Sequence, residues 1–254
     1  MGVYEKLYAL GCFTREEVLS LSGNPKSADA LLYAQKQKGQ VKSVKRNLYV
    51  TISRETKQPV VSPYEIGSKI TSDAFISHHS AFEYYGMANQ VFSDIYVSTA
   101  IRFNDFEFDG KTYVYVASRS NAGIESPTPR LRVTSLERTI IDSIKNFSKI
   151  GGLEELLRCL QMVTYVSESK LLEVLASYGN QFLYQKTGYI LSHYQKPMKL
   201  SDSLFAACQE KINKSTRYLY GGIQFEDPKF NREWRLFVPN DLMKLIDEGR
   251  DAIV

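Results

Sequence analysis

The first 51 residues carry three short helical patterns followed by two strand patterns, and this order constrains the fold more than any other feature. Apolar residues recur at helical spacing over residues 3–10 and stop at Gly11, a residue suited to a helix C-terminus. Thr14 and Glu17 have the spacing of a capping box, which satisfies free N–H groups at the start of a helix. The second helix is therefore expected to begin there and to end before Gly23.

The third helical pattern starts with residues that favour a helix N-terminus. Asn24 is a suitable N-cap, and Pro25 fits the first helical turn. After this helix, residues 41–44 and Leu48–Thr51 alternate as two short strands do. A short helix, a turn, a second helix and a two-stranded ribbon predict a winged helix-turn-helix over residues 1–58.

The positive charge of the chain is concentrated in the same stretch. Residues 1–58 hold ten Lys or Arg against five Asp or Glu, whereas residues 59–254 hold 22 against 23, within a net charge of +4. Lys and Arg that displace counterions from phosphates supply most of the non-specific affinity of nucleic-acid-binding proteins. A solvated basic face would have the same composition, but the order of elements favours a module that binds DNA.

Five residues of the third helix are candidate contacts to DNA. A recognition helix places its N-terminal, outward-facing residues against base edges in the major groove. By position, these are Lys26, Ser27 and Ala30, with Tyr33 and Gln37 further along the same face.

Four residues of the predicted wing complete the candidate DNA-binding set. Lys42 and Lys45 are suited to phosphate, and Arg46 is the better reader of a base or groove because its planar guanidinium specifies geometry. Asn47 completes the tip of the wing. The alternative use of such a module is contact with another protein.

A second, larger domain is expected after the prolines at 59 and 63. It is predicted to span residues 59–254 and to mix helices and strands, so that the whole chain is α+β. Its expected elements are a helix over residues 64–86, strands over 94–99, 101–108 and 111–117 with a tight turn at Asp109-Gly110, and mainly helices from residue 134 onward.

Four stretches of the sequence carry a resemblance to a known family. They are Gly39 through Val50 with its R-x-L-Y-V ending, SHHSAFEYYG at 77–86, VTSLERTIID at 133–142 with Gly151-Gly152 after it, and a stretch over 220–239 that ends in WRLFVP. In their order and spacing the chain resembles the AbiE-type abortive-infection antitoxins of type IV toxin–antitoxin systems. One departure is Asn47, where many relatives are expected to have Gly; Asn tolerates a left-handed turn.

The resemblance implies two roles for the protein. The N-terminal module would repress its own operon at repeated promoter sites, and the C-terminal domain would counteract a nucleotidyltransferase-like toxin without forming a stable complex with it. Because one small domain seldom reaches high site affinity alone, we expect monomers that occupy adjacent inverted repeats of double-stranded DNA cooperatively.

Catalytic and metal chemistry is not expected. His78-His79 lacks further ligands at metal-binding spacing. Asp105, Glu107 and Asp109 are expected to share the solvent-exposed face of an ordinary hairpin. Trp234 is expected to be a core anchor. We therefore expect neither an enzyme nor a cofactor.

The expected cellular compartment is inferred from the lack of membrane-spanning and signal-peptide patterns in the sequence. No apolar run approaches the length of a membrane-spanning helix, the N-terminus lacks the pattern of a signal peptide, and three widely spaced cysteines suit reduced thiols. We therefore expect a cytoplasmic protein with no membrane partner. Two other function classes stay open: a winged-helix regulator with a ligand-sensing C-terminal domain, and an enzyme that acts on nucleic acid.

Overall fold

The computed structural model describes residues 2–225 and 227–246, and within these ranges the chain is a mixture of helices and several sheets. The α+β class predicted from the sequence is confirmed. No helix of the described part is both long enough and apolar enough to cross a bilayer.

The N-terminal part begins with six elements. They are α1 (Val3–Leu10), β1 (Cys12–Thr14), α2 (Arg15–Ser22), α3 (Pro25–Gln37), β2 (Val41–Lys45) and β3 (Leu48–Thr51). The three helices and the two later strands confirm the sequence-based predictions. The three strands form one antiparallel sheet in the order β1-β3-β2, and β1 was not anticipated because three residues are too few for a visible alternation.

The predicted start and stop signals of these helices are present. Thr14 and Glu17 form the complete capping box of α2, and Gly23 ends that helix in a left-handed conformation. The Asn24 side chain accepts a hydrogen bond from the Ser27 N–H at the start of α3. A small hydrophobic core is formed by Leu7, Phe13, Val18, Ala28, Leu32 and Val41, and Tyr49 of β3 packs against it.

A six-stranded mixed sheet follows in sequence. Its region contains α4 (Pro63–Ser68), β4 (Phe75–Ile76), α5 (His78–Tyr84), β5 (Asp94–Thr99), β6 (Phe106–Phe108), β7 (Lys111–Ala117), β8 (Ile124–Thr128) and β9 (Leu131–Thr134). The strand order is β6-β7-β5-β4-β9-β8. Strands β5 and β7 pair in parallel, and β6 and β7 form the antiparallel hairpin predicted at Asp109-Gly110, both of which have positive φ.

Two predictions for this region were wrong. The helix expected over residues 64–86 is two helices separated by β4, because Phe75 and Ile76 pair with β5 and Ile76 also pairs with β9. The strand expected over 101–108 is limited to Phe106–Phe108. Local apolar spacing does not reveal such pairings, which depend on strands far away in the sequence.

The remainder is mainly helical, as predicted. It comprises α6 (Leu136–Lys145), α7 (Leu153–Gln161), α8 (Glu168–Tyr178), α9 (Gln181–Ser192), α10 (Gln195–Met198), α11 (Asp202–Gln209), β10 (Arg217–Tyr218), β11 (Lys229–Asn231) and β12 (Leu236–Val238). The last three strands form a small sheet in the order β10-β12-β11. Trp234 is 1% exposed within the largest hydrophobic cluster, which confirms its role as a core anchor.

The chain divides into two compact units that interleave in sequence. Unit one contains the N-terminal stretch through Ile76, Ser93–Ser118 and Ser126–Val133. Unit two contains Ser77–Phe92, Arg119–Glu125 and the described residues from Thr134 onward. Residues 2–58 lie wholly in unit one, together with part of the segment that follows them, so a domain boundary after residue 58 stays a prediction.

Candidate nucleic-acid interface

One face of α3 carries an exposed row of side chains. Lys26, Ala30, Tyr33 and Gln37, here called the α3 stripe, recur at helical spacing and are all exposed. Tyr33 is 67% exposed, so its ring is accessible to a partner. The opposite face, with Ala28, Leu32 and Gln35, is buried against the other helices and strands of this module. The helix is thus amphipathic and leaves the stripe free to meet a partner.

The start of α3 is fixed by its neighbours. Gly23 and Asn24 alone separate α2 from α3, and Pro25 occupies the first turn. Ser27 is exposed beside the stripe, and its backbone N–H is held by the Asn24 side chain at 2.9 Å. The first turn of α3 is therefore rigid and exposed.

Asp29, the acidic residue on α3, is paired with a cation of α2. Arg15 donates two hydrogen bonds to Asp29, with Nε–Oδ1 and Nη2–Oδ2 distances of 2.7 and 2.8 Å. The hydrogen bond from Arg15 lowers the pKa of Asp29. This contact reduces the negative potential that the Asp29 carboxylate would otherwise present on α3. Elsewhere on α2, Glu17 forms an ion pair with Lys69 at 2.7 Å.

The turn between β2 and β3 presents Arg46 and Asn47, which are both exposed. Asn47 has a φ of 67°, so the predicted left-handed conformation is confirmed. Its Nδ2 lies 3.0 Å from both carboxylate oxygens of Glu16 and donates to them, and this hydrogen bond lowers the pKa of Glu16. The tip of the hairpin is thereby tied to the first turn of α2.

The two lysines of the hairpin differ in their surroundings. The Lys45 ammonium lies over the rings of Phe103 and Phe106, at 5.2 and 5.7 Å from their centroids, and burial lowers its pKa. Lys42 is exposed, and its Nζ lies 4.0 Å from Asp109. The half-buried Lys45 ammonium thus packs on aromatic rings, and its contact with phosphate stays a prediction.

Lys26 and Arg46 are exposed cations of this surface. Within the described part of the chain, the side chains of Lys26 and Arg46 form no ion pair or hydrogen bond. One lies in the first turn of α3 and the other at the tip of the β2–β3 hairpin. The sequence missed Arg15 as a member of this surface, because its pairing with Asp29 depends on how α2 packs against α3.

Asp105, Glu107 and Asp109 are all solvent-exposed and alternate with the half-buried Phe106 and Phe108, as expected for a hairpin with one solvent-exposed face. Only Glu107 lies within β6: Asp105 precedes the strand and accepts a hydrogen bond from the backbone of Tyr115, and Asp109 lies in the hairpin turn. Among the residues that the structure describes, no cluster of His, Cys, Asp and Glu could hold a metal ion.

The histidines of the SHHSAFEYYG segment lie in the interior of unit two. His78 Nδ1 is 2.8 Å from Ser77 Oγ, and burial lowers its pKa to about 4. His79 stacks on Phe92 at 3.8 Å, with its two ring nitrogens 3.2 Å from Glu83 and 3.3 Å from Glu155. The Glu83 contact has ion-pair distance without the alignment of a hydrogen bond. Both histidines therefore belong to the buried polar interior.

Comparison with known proteins identifies the fold class of the chain. No family model matches the chain, and no curated protein matches it in sequence. Among solved structures, the chain is similar to the RV2827C protein from Mycobacterium tuberculosis, with a TM-score of 0.64 and 14% sequence identity. The match covers 98% of this chain and 93% of that one. At this identity the similarity establishes a shared α+β fold.

Proposed function

We propose that residues 1–58 form a winged helix-turn-helix that binds double-stranded DNA and that the protein represses its own operon. The sheet order β1-β3-β2, the two-residue connection between α2 and α3, and the hairpin that follows α3 support the winged-helix assignment. In this arrangement α3 is the recognition helix and the β2–β3 hairpin is the wing.

The observation that carries the DNA-binding proposal is the exposed α3 stripe together with its charge environment. Lys26, Ser27, Ala30, Tyr33 and Gln37 offer charge, hydrogen-bonding groups and an apolar contact on one accessible side of the helix. Lys26 and Arg46 keep their charge available, whereas Asp29, Glu16 and Glu17 are paired with other side chains. A surface of this kind favours a polyanion over a neutral or basic partner.

The proposed antitoxin role rests on the resemblance to AbiE-type antitoxins. In this proposal the cytoplasmic protein is a monomer in solution, occupies inverted repeats in its promoter cooperatively, and has no catalytic activity of its own. The remainder of the chain counteracts a nucleotidyltransferase-like toxin encoded beside it, without a stable complex between the two.

The DNA-binding proposal is tested with the full-length protein and a fragment of the DNA upstream of its own operon. We expect retention of this fragment at low salt, a steep loss of affinity as salt rises, and weaker binding to a scrambled fragment of equal length. Lys26→Ala, with Lys211→Ala as the control at an exposed site in unit two, should weaken binding. Absence of retention at low ionic strength would disprove the proposal.

The antitoxin proposal is tested separately, by growth of cells that express the neighbouring gene with or without this protein. We expect rescue by the wild-type chain and by the Lys26→Ala/Arg46→Ala variant, because neutralisation is assigned to residues outside the DNA-binding surface. The toxin is expressed from an unrelated promoter, so that repression plays no part. Failure of both chains to restore growth would exclude the antitoxin role and leave the DNA-binding proposal intact.

A further inference from the structure

Lys186 on α9 is a buried cation without an anionic partner. Lys186 is only 5% exposed, and within the described part of the chain its side chain forms no ion pair or hydrogen bond. The ammonium lies 3.7 Å from the centroid of the Phe147 ring and 5.6 Å from that of Phe182. Buried ammonium groups are normally paired with a carboxylate, so this one calls for an explanation.

The aromatic rings compensate the buried charge only in part. A cation over an aromatic face is stabilised by the ring quadrupole, but by less than the ammonium loses on leaving water. Burial accordingly lowers the pKa of Lys186 to about 8. An anion placed next to Nζ would supply the missing interaction and would favour the charged form.

A cavity of about 520 Å³ that is wide open to solvent is lined in part by Lys186 within unit two. Its walls include four aromatic side chains and a second lysine: Phe147, Phe182, Tyr218, Tyr220 and Lys145. Tyr218 is 45% exposed and stacks on Phe237 at 4.8 Å, which fixes the plane of its ring. The volume falls in the range of small-molecule sites, which are about 300–1,000 Å³.

From these features we propose that the cavity binds a mononucleotide, with its phosphate against Lys186 and Lys145 and its base against the aromatic side chains. A base offers a flat face that stacks on phenyl and phenol rings, and a phosphate supplies the anion that the buried ammonium lacks. Asn146 and Gln224 also line the cavity, and their carboxamides provide donors and acceptors for a base edge. The site lies in unit two, so the proposal is independent of DNA binding by the N-terminal module.

The phosphate and the nucleoside each use a different part of the cavity. Inorganic phosphate would satisfy the ammonium but leave the aromatic walls unused, and a nucleoside would use the walls but leave the ammonium unpaired. A mononucleotide should therefore bind more tightly than either fragment of it.

The test is isothermal titration calorimetry of the full-length protein at pH 7 with each of the four ribonucleoside triphosphates, with adenosine and with tripolyphosphate. We expect one-to-one saturation by at least one triphosphate, at an affinity at least about tenfold above those of adenosine and tripolyphosphate. Lys186→Met should lose at least about tenfold in affinity, whereas Lys211→Met, at an exposed lysine outside the cavity, should bind as wild type.

Three outcomes would overturn the proposal: no saturable binding of any triphosphate, equal affinity for tripolyphosphate, or unchanged affinity of Lys186→Met. A second measurement uses the wild-type protein and covers the case of a variant that does not fold. The lysine side-chain signals of isotopically labelled protein are followed from pH 6 to pH 10 by nuclear magnetic resonance. A saturating triphosphate should raise the pKa of the lysine that titrates near pH 8, and an unchanged titration would contradict the site.

Discussion

Arg15 in the first turn of α2 forms a bidentate ion pair with Asp29 on α3, with both N–O distances below 3 Å. Two parallel hydrogen bonds of this kind fix the orientation of the guanidinium as well as its position. The pair therefore holds the only acidic residue of α3 against α2 and neutralises its charge beside the exposed stripe.

Arg15→Ala is expected to weaken DNA binding without touching the proposed contacts. The unpaired Asp29 carboxylate would repel phosphates, and affinity should fall roughly two- to fivefold for specific and scrambled DNA alike. Fluorescence anisotropy at low salt measures this effect. The double variant Arg15→Ala/Asp29→Asn removes both charges and should recover most of the lost affinity. A double variant as weak as the single one would show that Arg15 contacts DNA itself.

Arg46 and Lys42 are expected to have different roles in DNA binding. Arg46→Ala should cost about 1–3 kcal/mol of binding to the specific operator and relax its sequence preference. Lys42→Ala should weaken binding to all sequences alike and lower the salt slope by about one. Affinities for operator and scrambled DNA over a series of salt concentrations distinguish the two, and a uniform loss in both variants would contradict the assignment of Arg46 as the reader.

The adjacent His78 and His79 are expected to affect stability in opposite directions as pH changes. Burial lowers the pKa of His78 from 6.5 to about 4, so between these values the unfolded chain binds a proton that the folded chain does not. The free energy of unfolding should therefore fall as pH drops through this window, by up to about 3 kcal/mol. His78→Asn should reduce this slope in urea denaturation at pH 4.5 and 6.5, and Asn suits its φ of 52°.

His79 provides the internal comparison for that experiment. Burial alone lowers its pKa, but the hydrogen bond to Glu155 and the ion pair with Glu83 together outweigh burial, and the pKa is raised. Its contribution is then fully present below pH 6.5 and is lost as pH rises through the higher folded-state value. His79→Gln should therefore lose more stability at pH 6 than at pH 9. Equal losses at both values would contradict a charged His79.

Lys186→Met is expected to stabilise the ligand-free protein at neutral pH. The pKa of Lys186 is lowered from 10.5 to about 8, so the unfolded chain holds the proton more tightly and wild-type stability rises with pH across this range. The penalty removed at pH 7 is on the order of 3 kcal/mol, offset in part by the lost contact with Phe147. The difference between variant and wild type in chemical denaturation should shrink toward pH 10, and Lys211→Met should show no such trend.

Gly188 on α9 is expected to tolerate no side chain, because a Cβ at this position would overlap the six-membered ring of Trp234. An alanine ordinarily stabilises the interior of a helix relative to glycine. Here Gly188→Ala should instead lower the free energy of unfolding by about 1–3 kcal/mol, as overpacked cores do. Thermal denaturation measures the loss. Adding Trp234→Leu should make the alanine substitution less costly than it is in the wild-type background, and an unchanged cost would contradict the overlap as its cause.

The sequence predicted the elements whose signals are local. The capping box at Thr14 and Glu17, the Asn24 cap, the left-handed Asn47 and the turn at Asp109 all depend on residues that are close together in the chain. The mainly helical character of the chain from residue 134 onward was also predicted. These features could be predicted because each one is satisfied by its own neighbours.

The features that escaped prediction depend on distant partners. Strand β4 exists because Phe75 and Ile76 pair with β5, and Ile76 also pairs with β9, more than fifty residues away in the sequence. The position of the Lys45 ammonium over the rings of Phe103 and Phe106 was likewise not predicted. No local pattern contains such information, because an aromatic partner or a strand partner is chosen by the tertiary fold.

The interleaving of the two units has a consequence for how the protein is made. Unit one needs Ser126–Val133, which leave the ribosome only after the first two segments of unit two, Ser77–Phe92 and Arg119–Glu125. Nascent domains fold as units, so the N-terminal region cannot complete its own unit when residue 58 or even residue 76 emerges. Stalled or truncated translation products that end before Val133 would therefore expose unfinished sheet edges to chaperones and proteases.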